Sequence, residues 1–228
     1  MRGADDIDAV LATMAGVDAD IWLLQGLDYD AGGLALRAFA EAAGYPHHFS
    51  APPNTGLESG HDLDGDGRLG TPRDAQGYGR FSGAGSMAIL SRYPLTLRRD
   101  ETALLWLDHE GARLPALAGQ PFPSAEAQAV QRLSTTAHWE VAVEYYGLSL
   151  LTAYPTPPVF DGPEDRNGLR NADEVRLIAD MARDVGGAFV IAGDLNLDPN
   201  DGQGLRLVMA ALLADPMLQD PVGDAPTV

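Results

Sequence analysis

The sequence predicts a layered α/β domain in which sheets pack against one another and helices cover the outside. Helical stretches feed short apolar strands, as where residues 7–14 lead into 21–24, and a hairpin-linked pair of strands occupies 138–145 and 148–154. The connections between these pieces are long and rich in Gly, Pro, Asn and Asp, a composition that gives irregular backbone. A plain doubly wound sheet is the alternative, and it accounts less well for the hairpin.

Taken in order, Ile7, Val10, Leu11 and Met14 fall at helical spacing, and the chain turns through 16–20 into the apolar run Ile21-Trp22-Leu23-Leu24. A second helix is expected over 33–43, with Leu34, Phe39 and Ala40 inward, Gly44 at its C-terminal cap and Pro46 forbidding continuation. Residues 47–86 show no sustained period and read as one long excursion of the functional or metal-stapled kind. A strand over 86–91 ends at Arg92-Tyr93-Pro94, and 108–124 is again rich in Pro and Gly. In the hairpin, Trp139, Val141 and Val143 share one face and Tyr146-Gly147 supplies the turn. Asn171 with Glu174 three residues later reads as a capping box opening a helix whose inner face is Val175, Ile178, Ala179 and Ala182. A strand over 189–192 and a helix carrying Leu205, Val208, Met209 and Leu212 follow. Trp22, Trp106 and Trp139 read as core, and the five histidines as loop or core residues without ligand spacing.

The 228 residues are 45% apolar, enough for one substantial core, and the whole of 1–228 is expected to be one domain. No apolar run approaches a membrane span, and the start of the sequence lacks a signal-peptide pattern, so a soluble chain is expected. The compartment stays open, with an extracellular or periplasmic place for a longer form, and oligomeric state is unassigned. With no cysteine there is no disulfide, thiolate nucleophile or cysteine-bound zinc, so a metal must be held by oxygen or histidine. A net charge of -18 repels polyanions and disfavours long duplex nucleic acid as a partner.

Two constellations carry chemistry. Asp194 and Asn196, in the run 188–196, sit at the exit of a buried strand; side chains on a strand alternate between faces, so the two are expected to project from the same side, with Gly193 allowing close approach of substrate. One carboxylate and one carboxamide then face a single atom, as a phosphate-cleaving site requires. The second is Asp62-Leu63-Asp64-Gly65-Asp66-Gly67-Arg68, with acids at positions 1, 3 and 5 and Gly at 6, the first half of a calcium loop. Asp62, Asp64 and Asp66 would bind Ca2+ through side chains and Arg68 through its carbonyl. Position 12 is Arg73, so Asp74 is the expected closing ligand.

Three ordered motifs extend this reading: 81–94 (Phe-Ser-Gly-Ala-Gly-Ser-Met-Ala-Ile-Leu-Ser-Arg-Tyr-Pro), 156–171 (Thr-Pro-Pro-Val-Phe-Asp-Gly-Pro-Glu-Asp-Arg-Asn-Gly-Leu-Arg-Asn) and Gly193-Asp194-Leu195-Asn196. Together they resemble the endonuclease/exonuclease/phosphatase superfamily, within it an uncharacterised bacterial branch, over nearly the whole chain. The resemblance implies an α-β-β-α sandwich and hydrolysis of a phosphoester, more narrowly a phosphodiester, by in-line attack of water, with catalytic Mg2+ or Mn2+. It implies Asp194 as base or water-orienting residue and Asn196 as holder of the phosphoryl group. Tyr154 matches the position where the family often has His and one branch has Tyr. Arg170, Asn167 and Asn171 follow as phosphate donors, Arg170 in bidentate fashion.

The sequence also departs from that pattern. No Asn precedes Asn54, the second strand ends Gln25-Gly26 where the family has Gln-Glu, leaving Asp28 as a weak catalytic-metal ligand, and no His follows His138. Loss of a positioned acid or base costs about 10²–10⁴ in rate. The resemblance therefore implies a fold incomplete at both ends, lacking a first strand and a Ser-Asp-His segment, and an enzyme truncated or impaired as it stands. The competing expectation is a non-catalytic calcium-stabilised module that retains the fold.

Overall fold

The computed structural model describes residues 4–221. In chain order the first half contains α1 (Ala4–Val17), β1 (Ile21–Leu27), α2 (Leu34–Ala43), β2 (His47–Phe49), β3 (Ser86–Ser91) and β4 (Leu95–Asp100). A 3-10 turn at Trp106–Asp108, the ribbon β5 (Ala116–Leu117) with β6 (Gln120–Pro121), and α3 (Ala125–Val130) come next. The chain continues with β7 (His138–Val143), β8 (Leu148–Ala153), α4 (Arg166–Asp184), β9 (Ala188–Ala192) and α5 (Arg206–Leu213). Among the described residues no helix is long and apolar enough to cross a membrane.

Two main sheets form, in the orders β1-β3-β2 and β4-β7-β8-β9. Neighbours are antiparallel except β8 and β9, which run parallel because α4 supplies the crossover between them. Between the sheets lie Met87, Ile89, Trp139, Val141, Val143 and Leu150, with Phe49 edge-on to Trp139 at 5.1 Å. Ala88 and Leu90 point the other way, onto Met14, Leu36 and Ala40 of α1 and α2. That double burial is why 86–91 reads as a continuous apolar run. On the far side Val175, Ile178 and Met181 of α4 cover Leu151. The layers are thus α-β-β-α, as the resemblance implied.

The element boundaries follow from local chemistry. α2 starts where both oxygens of Asp30 accept backbone N–H groups, from Leu34 and Ala35 at 2.9 Å each, and ends at Gly44 in the left-handed conformation. α4 starts at Arg166 rather than Asn171, so the capping-box reading fails: Asn171 and Glu174 are buried in mid-helix. The first nine residues of α4 are dominated by polar side chains, and apolar periodicity could not register them as helix. β4 was missed for a related reason, since only Leu95 and Leu97 stand among exposed polar neighbours. In the 47–86 excursion the first three residues pair with β3 and only isolated bridges follow. Residues 222–228 lie outside the described residues.

Candidate active site

The strand registers bring the long loops to one end of the sandwich. Leu27 lies opposite Ser86, Ala153 opposite His138, and Thr152 beside Ala192, so the connections following β1, β8 and β9 emerge together. Gln25 Nε2 donates to the Ala153 carbonyl at 3.4 Å, and the Asn54 N–H donates to the Thr136 carbonyl at 2.9 Å.

The segment following β8, which carries Tyr154, and the turn following β9, which carries Asp194 and Asn196, lie side by side at this rim. β9 ends at Ala192, so strand alternation does not place the last two; a turn does. Asp194 Oδ1 accepts the N–H of Asn196 at 2.9 Å, and Asn196, held at φ 52°, donates Nδ2 to the Pro155 carbonyl at 3.0 Å. Asp194 is exposed and its Oδ2 has no hydrogen bond to the described residues. Tyr154 is half-buried against the core between the sheets. Gly193 serves backbone packing rather than substrate access: a Cβ there would lie 2.1 Å from the Ala153 carbonyl oxygen.

The expected phosphate donors are held by the scaffold. Arg170 is buried, with Nε donating to the Leu133 carbonyl at 2.8 Å and Nη2 to those of Gln76, Arg132 and Ser134 at 2.6, 2.8 and 3.2 Å. These bonds use the fork that bidentate phosphate binding needs, which corrects its assignment as a phosphate clamp. Asn171 Nδ2 bridges the carbonyls of Thr156 and Leu195 at 2.8 and 2.9 Å, tying the turn after β8 to the turn after β9. It positions the rim instead of touching phosphate. Asn167 Nδ2 donates to the Val159 carbonyl at 2.7 Å within its own loop.

Glu174 is the central residue that sequence reasoning missed. Its oxygens accept from the N–H and hydroxyl of Thr135 at 2.5 and 3.0 Å and from the N–H of Thr156 at 2.9 Å. Burial pushes its carboxyl up to about 7, against the opposing pull of the Arg170 charge and these donors. Burial likewise brings Arg170 down to about 10 and His138 down to about 4. His138 is a core histidine, its ring bonded to Ser134 and to the Glu174 carbonyl. The missed signal was a helical stripe: Arg166, Arg170, Asp173, Glu174 and Leu177 recur at the spacing of one face.

Three of the calcium-loop acids converge. Oxygens of Asp62, Asp64 and Asp74 lie within 4.8 Å of one another, the one such group of three among the described residues. Asp62 receives the N–H groups of Gly65 and Gly67, and Asp74, buried, those of Leu63 and Thr71. Burial and the like charges of Asp66, Asp74 and Asp62 raise the Asp64 carboxyl, a cost that a hard cation offsets. Asp66 lies outside this group and accepts the N–H of Arg68 at 2.8 Å, and Arg68 is exposed. Asp28 stands apart from these acids, with Oδ1 accepting the Gly85 N–H at 2.9 Å.

The sequence profile of the Endonuclease/Exonuclease/phosphatase family matches residues 1–227. The chain belongs to that family. Solved structures similar to this family member include sphingomyelinase C from Streptomyces griseocarneus, at 16% identity over 92% of this chain and 61% of that one, TM-score 0.49. A beta hairpin deletion mutant of beta toxin from Staphylococcus aureus is 11% identical over 92% and 63%, TM-score 0.48. The human Nocturnin catalytic domain with bound sulfate is 11% identical over 94% and 63%, TM-score 0.47. The chain spans about three fifths of the length of each. No curated protein sequence matches it significantly.

Proposed function

We propose that this chain hydrolyses a phosphoester, a phosphodiester of small size above all, by in-line attack of water at the rim of Tyr154, Asp194 and Asn196. The observation that carries the reading is the exposed Asp194 carboxylate, fixed through Oδ1 by the Asn196 N–H with Oδ2 left to orient water and take its proton. Asn196 orients the phosphoryl group, its own placement set by Pro155. The Tyr154 hydroxyl donates to a phosphate oxygen, a role a phenol fills better than that of proton shuttle near neutral pH.

The catalytic Mg2+ or Mn2+ that the resemblance implies does not fit the donors at this rim. Gly26 stands in the Glu position, Asp28 is engaged with Gly85, and no group of three acids or histidines forms around Asp194 among the described residues. Ca2+, or another hard cation, fits Asp62, Asp64 and Asp74, where it would neutralise clustered charge and brace the loop. These two observations also favour a second reading, a calcium-stabilised module without turnover.

Hydrolysis of bis(4-nitrophenyl) phosphate with Mg2+, Mn2+ or Ca2+, comparing the chain with Asp194→Ala, separates the two. The expected loss is about 10²–10⁴ in rate. Equal, measurable rates remove Asp194 from the mechanism, and no rate in either protein leaves the module.

A further inference from the structure

A cavity of about 970 Å³ lies beside the rim, at the upper end of the size of small-molecule sites. Tyr78, Phe122 and Phe160 line it from three separate loops, and the rest of the wall includes Thr156, the guanidinium groups of Arg166 and Arg170, and the carboxylates Asp64, Asp161 and Glu164. Phe160 is 81% exposed and Tyr78 61% exposed. Among the described residues the paired rings are Phe49 with Trp139 and Tyr93 with Tyr146, so none of these three aromatics is stacked on another ring. Phe160 is also held at φ 70°, a left-handed conformation that a Phe rarely adopts and that often marks functional sites.

Arg166 supplies the second, independent feature. It is 8% exposed, donates Nη1 to the Leu63 carbonyl at 2.5 Å, and leaves Nε without a partner among the described residues. A buried donor on a permanent cation is costly to leave unpaired, and an anionic oxygen satisfies it. Unstacked rings beside a buried guanidinium with an unpaired donor suit a flat aromatic group whose anion sits at Arg166, away from the carboxylates Asp161 and Glu164 on the same wall.

We propose that this cavity binds a small aromatic phosphoester of nucleoside monophosphate size, its ring stacked on Tyr78, Phe122 and Phe160 and its anionic group received by Arg166. Thr156 joins cavity to rim: it lines the cavity, and it follows Pro155, whose carbonyl takes the Asn196 amide. The inference rests on the phosphoesterase reading only for what happens after binding. It narrows the substrate class to esters with one flat, stackable substituent.

The test is titration calorimetry of the Asp194→Ala chain with adenosine 5′-monophosphate and, as the ring-free control, ribose 5-phosphate. Adenosine monophosphate should bind at least about tenfold more tightly than the control, and Tyr78→Ala and Phe160→Ala should each weaken it on the order of tenfold. Melting temperatures should not move, because both side chains are exposed. Equal affinity for the two ligands, undetectable binding at millimolar concentration, or unchanged affinity in both variants would overturn the proposal. Binding without turnover of any phosphoester in the unsubstituted chain removes the catalytic reading and leaves the pocket. Turnover of a ring-free ester without adenosine monophosphate binding does the reverse.

Discussion

Replacing Glu174 by Gln should reveal a pH dependence of stability that the unsubstituted chain conceals. Two fully buried groups titrate in overlapping windows with opposite sign. Glu174 moves from an ordinary 4.5 up to about 7 on folding, so the folded chain holds a proton that the unfolded chain has lost. Its contribution is complete below pH 4.5 and disappears as pH rises through 7. His138 moves from 6.5 down to about 4, so here the unfolded chain holds the extra proton. That contribution is complete above pH 6.5 and disappears as pH falls through 4. Each change is worth roughly 3 kcal/mol, at about 1.4 kcal/mol for every pH unit between the two values. Between pH 4.5 and 6.5 the two slopes cancel.

Urea denaturation at half-unit pH steps across that interval is the assay. Glu174→Gln removes the falling slope, and its stability should rise with pH by about 1.4 kcal/mol per unit relative to the unsubstituted chain. His138→Asn should show the mirror image. Gln also presents an amide donor where Glu174 receives three donors, which lowers stability by about 1–3 kcal/mol at all pH values without changing the slope. Parallel pH profiles for Glu174→Gln and the unsubstituted chain would refute the reasoning.

Ca2+ at a hundred times its dissociation constant should add about 2.7 kcal/mol, seen as a rise in melting temperature of roughly 5–10 °C. Calorimetric scans should show this rise abolished in Asp64→Ala, and an equal rise in both proteins removes the cation from the Asp62, Asp64 and Asp74 group. Gly193→Ala drives a methyl into the Ala153 carbonyl oxygen at 2.1 Å and should cost about 1–3 kcal/mol by urea denaturation. Unchanged stability would mean that the β8 and β9 ends separate freely.

The sandwich was legible wherever burial imposed a period. Residues 86–91 and 138–143 are strands because Met87, Ile89, Trp139, Val141 and Val143 fill the space between the sheets, and the apolar pattern records that. The 95–100 strand left a faint pattern because it lies at a sheet edge, and the start of α4 left none because it buries polar groups. At the site, the motifs named Tyr154, Asp194 and Asn196, and the structure places the turn of the last two beside the backbone segment that carries the first. Sequence could not tell a donor facing substrate from one facing backbone. Arg170 and Asn171 have the right chemistry for phosphate, yet their donors are directed to carbonyls of residues 76, 132–134, 156 and 195. That distinction depends on where distant loops end, and one chain segment does not encode it. The calcium-loop spacing named Asp62, Asp64 and Asp66 with Asp74 as closing ligand, and the structure gathers Asp62, Asp64 and Asp74 while Asp66 turns to the Arg68 N–H.

The two halves of α4 explain why a polar core persists in a fold that could bury apolar residues more cheaply. Residues 175–182 cover the sheet with Val175, Ile178 and Met181, and hydrophobic burial alone accounts for them. Residues 166–174 face loops whose backbone has no ladder to join, and buried peptide groups must find partners somewhere. Arg170 takes four carbonyls, Asn171 takes two, Glu174 takes the N–H groups of Thr135 and Thr156, and Asp173 takes that of Arg113. Apolar replacements of equal volume would avoid the desolvation cost of the ions but would orphan these groups. A single rigid helix therefore fixes segments of the 50–86, 101–137, 154–165 and 193–205 connections relative to one another. The rim inherits its geometry from that helix, which is how irregular loops hold Asp194 and Asn196 beside the Pro155 carbonyl at the end of β8.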